Sequence, residues 1–89
     1  DLSKASNSIN QKNKFINISI DKFGNLFINK NITQFEDLKL MVIKLTDKDK
    51  NNIVLNADKN VSHGDVIKVL DILRSINGLK IAISTKSVI

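Results

Sequence analysis

The sequence predicts a two-layer α/β sandwich of the α+β class, ordered β-β-α-β-α-β, with a mixed four-stranded sheet and two helices on one of its faces. Three observations predict it. Apolar and polar residues alternate at Ile16, Ile18 and Ile20 and again from Leu79 to Thr85, the period-two mark of half-buried strands. Two segments between them carry apolar residues at helical spacing. The stretch "NADKNVSHGDVIKVLDILRSINGLKIAIST", Asn56 to Thr85, reads as the end of one strand, a capped helix and a second strand.

Residues Asp1 to Asn13, "DLSKASNSINQKN", hold two isolated large apolar residues, Leu2 and Ile9, too few to bury a face. Residues 1–14 are therefore expected to form a flexible linker, and 15–89 the folded domain. Phe15 to Ile20 is the first strand, "DKFGN" a turn in which Gly24 supplies positive φ, and Leu26 to Asn29 the returning strand.

Thr33 followed by Glu36 has the spacing of a capping box and predicts a helix over about Gln34 to Thr46. Phe35, Leu38, Met41, Val42 and Leu45 fall on its inner face. Leu40 and Ile43 fall on its polar side. "DKDKNN" then reads as a charged loop, and Ile53 to Ala57 as the third strand. Ser62 caps the second helix, Asp65 brings negative charge to its N-terminus, and Val66, Val69, Leu70, Leu73 and Ile76 form its buried stripe. Asn77–Gly78 ends it, and Leu79 to Thr85 is the fourth strand. A helical crossover between the third and fourth strands makes them parallel. Two helices cover one face only, so the sheet keeps a wet face and open edges to which another chain can add a strand.

With 89 residues the chain supports one modest core, and without cysteine it has neither disulfides nor thiolate metal sites. No apolar run approaches the ~20 residues that span a bilayer. The net charge of +5 fits an anionic partner, but the lysines are scattered singly and Arg74 is the sole arginine. Nucleic-acid recognition normally uses clustered cations with stacking aromatics. Here Phe15, Phe23, Phe27 and Phe35 are the only aromatics, and Phe35 reads as core. A small basic nucleic-acid-binding domain is thus the alternative reading rather than the leading one.

Catalytic candidates are sparse. His63, the single histidine, would need an oriented partner and a pocket to act as a base, and a first-turn surface residue is the plainer reading. Asp58 and Asp65 flank the loop into the second helix and could pair for acid–base work or hold a cation. Ordering the turn and serving the helix dipole account for them more simply. Gly64 lacks the glycine spacing and lysine of a phosphate loop. Leu40, Ile43 and Ile67 are apolar residues on solvent faces and mark a candidate protein contact. No enzyme, cofactor or metal site is expected.

"ISIDKFGNLFINKN" and, after a helix, "IVLNADKNVSHGDVIKVLDILRSINGLKIAIST" resemble the periplasmic domain of the ExbD/TolR family of biopolymer transport proteins, over about Phe15 to Thr85. Ala57, Asp58, Val61, Gly64, Val66, Val69, Asp71 and Gly78 match the family pattern. His63 stands where the family often has tyrosine. "DLSKA" is similar to the Leu-Pro motif after the family's transmembrane helix, with Ser3 for the proline, and Leu2, Asp58 and His63 join Leu40, Ile43 and Ile67 as candidate partner-binding residues. The resemblance implies an upstream transmembrane helix bearing a proton-responsive aspartate, placing this domain in the periplasm of a bacterial inner-membrane protein. It further implies a homodimer within an ExbB- or TolQ-type channel subunit, an energy-transducing partner of the TonB or TolA type and, in the TolR branch, contact with peptidoglycan. It assigns none of the chemistry of an enzyme.

Overall fold

The structure, a computed structural model, describes residues 15–46 and 50–86. Among them the order is β1 (Phe15–Ile20), β2 (Leu26–Ile28), β3 (Asn31–Thr33), α1 (Phe35–Leu45), β4 (Asn52–Asp58), α2 (His63–Arg74) and β5 (Lys80–Lys86). The linker expected over residues 1–14 and part of the charged loop, residues 47–49, lie outside the described residues.

The sheet is mixed, as expected, but has five strands in the order β3-β2-β1-β4-β5. β1 and β4 are parallel, as are β4 and β5, while β1–β2 and β2–β3 are antiparallel. The additional strand is β3. Asn29 and Lys30 both take positive φ, 48° and 74°, so the chain reverses in two residues where an extension of the second strand was expected. The reversal is fastened to β1: Asn29 N donates to Asn17 O at 2.8 Å, and Asn17 N donates to the Asn29 side-chain oxygen at 3.1 Å. At three residues, one of them apolar, β3 has no alternation to reveal it.

The capping box at Thr33 is not formed. Thr33 ends β3 and its hydroxyl donates to Asn31 O, while Gln34 occupies the N-cap of α1 with no side-chain hydrogen bond. Strand pairing claims Thr33 and shifts the helix start by one residue. The α2 cap stands as expected, Asp65 N donating to Ser62 Oγ at 3.1 Å.

Register aligns the apolar residues in rows. Ile28, Ile18, Leu55 and Ile83 share one row, and Ile16, Ile53 and Ile81 another, all on one face of the sheet. Leu38 and Val42 of α1 and Val69, Leu70 and Leu73 of α2 join Ile16, Ile18, Ile20, Leu26, Ile28, Ile53 and Leu55 in a single buried cluster. Both helices therefore cover this face, and Lys68 Nζ stands 4.4 Å over the Phe35 ring where they meet. The other face is open, with rows Phe27–Ser19–Asn56–Ser84, Asn17–Val54–Ala82 and Phe15–Asn52–Lys80.

Two turns lock the frame. Asp21 accepts from Phe23 N and Asn25 N through one carboxylate oxygen and from the Asn25 amide through the other. Gly24 sits there at φ 87°, a conformation that favours glycine, and a Cβ on it would stand 2.8 Å from Asp65 Oδ2, so that carboxylate would have to shift. After α2, Gly78 takes φ 86°, and Asn51 holds that turn by donating from its side chain to Gly78 O and accepting from Lys80 N.

Candidate functional site

The features of this domain that can engage another chain are its two strand edges and the apolar side chains flanking them. An edge strand presents unpaired backbone donors and acceptors, which another extended segment can satisfy. The two edges are unequal: β3 offers three residues, β5 seven.

Beside β3 lies a groove of about 240 Å³ lined by Ile32, Thr33, Gln34, Asp37, Leu40 and Met41. Ile32 is 67% exposed and Leu40 57%. Met41, expected in the core, is 38% exposed instead. It lies about 100° round the helix from Val42, which takes the inner position. Beside β5 the exposed apolar residues are Ile83, on the helix-covered face, and Ile67 of α2.

Leu40, Ile43 and Ile67 are all exposed, as the sequence reading required, but they do not form one patch. The flank of α2 bearing Lys68 meets Phe35 of α1. Ile67 lies about 100° round from Lys68 on a 3.6-residue helix, on the flank turned from α1. Leu40 and Ile43 thus belong with α1, and Ile67 with the β5 side. Ile32, Met41 and Ile83 were not singled out from the sequence. A lone isoleucine in a three-residue strand carries no periodic signal, and Ile83 reads as core until β5 is known to be an edge.

Asp58 is buried at the end of β4, where its side chain accepts from Asn60 N at 2.8 Å and its carbonyl from Val61 N. It orders the turn into α2. His63, the first residue of α2, is exposed. Asp65 closes against Gly24, so the two aspartates serve different turns. Among the described residues no group of three or more His, Cys, Asp or Glu side chains is placed to hold a metal. Leu2 lies outside the described residues. The acidity of Asp21 is displaced from its ordinary value. Desolvation acts to raise its pKa, but the hydrogen bonds from the Asn25 side chain and from the backbone N–H groups of Asn25, Phe23 and Gly24 together outweigh it, holding the carboxyl below the ordinary range. They stabilise a turn, with no reaction implied.

On the open face, Asn17, Ser19, Asn29, Lys30 and Asn56 line a shallow depression of about 500 Å³. Its lining is amide and hydroxyl with one cation at the rim, a surface suited to neutral polar ligands rather than to phosphate chains.

The chain matches, over residues 1–88, the model of the family described as biopolymer transport protein ExbD/TolR. The chain belongs to the ExbD/TolR family. It is also 34% identical, over 96% of its length, to a protein of Synechocystis sp. named as a biopolymer transport protein ExbD. The chain spans 32% of that relative's length. ExbD/TolR membership accounts for a site made of surfaces: the family is one of transport-associated membrane proteins, and among the described residues no helix is long and apolar enough to cross a membrane.

Proposed function

We propose that this chain is the periplasmic domain of a proton-motive-force-coupled inner-membrane subunit, and that it passes energy to a transducer of the TonB or TolA type for outer-membrane transport or envelope maintenance. The observation that carries the reading is the family match across residues 1–88, on a domain whose exposed apolar residues flank free strand edges. In this reading residues 1–14 link the domain to a transmembrane helix with a proton-responsive aspartate. The helix works as a homodimer within an ExbB- or TolQ-like channel, and the domain performs no reaction of its own. An arm of 14 residues reaches roughly 45 Å when extended, which suits it to bridging a gap and to adding a strand at an edge.

The β3 edge with its Ile32–Leu40–Met41 groove is the docking place for the transducer in this account. The test is a photo-crosslinking side chain at Leu40 of the full-length protein in energised cells. Crosslinks to a second envelope protein that change when a protonophore collapses the gradient support the reading. Crosslinks indifferent to the gradient, or none, sink it. The amide-lined depression on the open face supports a second contact, with the glycan of peptidoglycan, and sedimentation with purified sacculi that is weakened by Asn56→Asp checks it.

A further inference from the structure

The chain is rich in asparagine, yet of its three glycines only Gly78 follows one. An asparagine side chain is open to attack by the backbone nitrogen of the next residue, and the side chain of that next residue is the chief obstacle. Asn17, Asn31, Asn52 and Asn60 are each followed by isoleucine or valine, whose branched Cβ crowds the nitrogen. Asn77 meets no such obstacle. Both Asn77 and Gly78 are exposed in the turn between α2 and β5, and a Cβ built on Gly78 has nothing within 4 Å. Gly78 N has no acceptor among the described residues. The turn is pinned at other atoms: Asn51 Nδ2 donates to Gly78 O at 3.2 Å, and Lys80 N donates to Asn51 O at 2.9 Å. One asparagine thus restrains the segment in which another is set up to react.

We propose that Asn77 is a site of spontaneous deamidation through a succinimide closed with Gly78, and that Asn51 governs its rate. Gly78 N gives its proton to hydroxide and attacks Cγ of Asn77. The new N–C bond forms, the Cγ–Nδ2 bond breaks, and the amide nitrogen leaves as ammonia with a proton from water, which restores the hydroxide. Water then opens the ring at one carbonyl or the other, leaving aspartate or isoaspartate, with no oxidant or reductant involved. Either product places a carboxylate just beyond the negative end of the α2 dipole, where an anion is unfavourable. Isoaspartate also adds a methylene to the backbone inside the turn. The two hydrogen bonds to Asn51 then no longer fit one spacing, and Lys80, the first residue of β5, is released. The proposal does not depend on the coupling reading.

The test is to incubate the protein in mildly alkaline buffer, digest it and follow the masses of its peptides with time. Asn77 is expected to convert before any other asparagine between residues 15 and 86. Asn51→Asp and Asn51→Ala, both of which remove the donor to Gly78 O, are expected to quicken the conversion several-fold. Asn77→Gln, which would have to close a six-membered ring, is expected to stop it while circular dichroism stays native. In the isoaspartate form, separated by ion exchange, amide exchange at Lys80 should be faster than in the parent while exchange at Val69 is unchanged. Three results overturn the proposal: Asn77 intact after a free peptide of residues 74–80 has converted, another asparagine of the folded domain converting first, or a rate indifferent to both Asn51 variants. Unchanged exchange at Lys80 in the isoaspartate form overturns the release of β5.

Discussion

On the β4–α2–β5 side, Ser62 caps the start of the helix, Ser75 closes its end, Val69, Leu70 and Leu73 are buried, and two isoleucines, Ile67 of α2 and Ile83 of β5, are exposed. On the β2–β3–α1 side, a helix of nearly equal length starts without a side-chain cap, buries Leu38 and Val42, and leaves Leu40, Met41 and Ile43 exposed. α2 puts most of its apolar residues into the fold. α1 leaves more of its own outside the core, a surplus that the proposed engagement of a partner would use. The difference teaches that buried and exposed apolar residues are concentrated on different helices.

The contrast is sharpest in side-chain truncation. Leu73→Ala, which empties a fully buried site under α2, is expected to cost about 3 kcal/mol in denaturant unfolding. Leu40→Ala on α1 is expected to stay within about 0.5 kcal/mol while weakening partner crosslinking. Equal losses would erase the comparison. The turn joining β1 to β2 lies close to Asp65 of the other half. Gly24→Ala is expected to cost about 1 to 3 kcal/mol, because φ 87° is strained for alanine and the new methyl meets Oδ2. Adding Asp65→Ala should return part of that cost, since only the steric share depends on the carboxylate.

Capping gives opposite signs on the two helices. Ser62→Ala should destabilise by about 1 kcal/mol, whereas Gln34→Ser should stabilise by roughly 0.5 to 1 kcal/mol by supplying the cap that α1 lacks. Lys30→Gly, at φ 74°, is expected to add about 0.5 kcal/mol by relieving a left-handed lysine. The smallest effect concerns pH. The Asp21 carboxyl is held below its ordinary pKa, so its contribution is present above that ordinary value and fades as pH falls through the lower folded value. Amide exchange at Phe23 and Asn25 should quicken only in that acidic window.

The half most readable in the sequence is also the half built by local rules. Ser62 and Asp65 act within a few residues of where they stand, and the period of α2 survives in the fold, although the helix ends at Arg74 with Ser75 as its cap, ahead of the Asn77–Gly78 stop that was expected. The other half depends on distant partners. Thr33 looks like a cap until Asn31 to Thr33 pair with β2, and Asn29 and Lys30 look like the tail of a strand until Asn17 fixes their reversal. Leu40 and Ile43 were legible as misfits on the polar side of a helix. Ile83 was not, because the exposure of an alternating isoleucine depends on where its strand falls in the sheet.

The most direct test of the coupling account is to purify the full-length protein from its native membranes in mild detergent and determine what accompanies it. The account predicts two copies of this chain held within an oligomeric channel protein, with a proton-responsive aspartate in the transmembrane segment whose replacement by asparagine abolishes gradient-driven activity while leaving the assembly intact. Recovery of the protein as a soluble monomer with no membrane partner would contradict it.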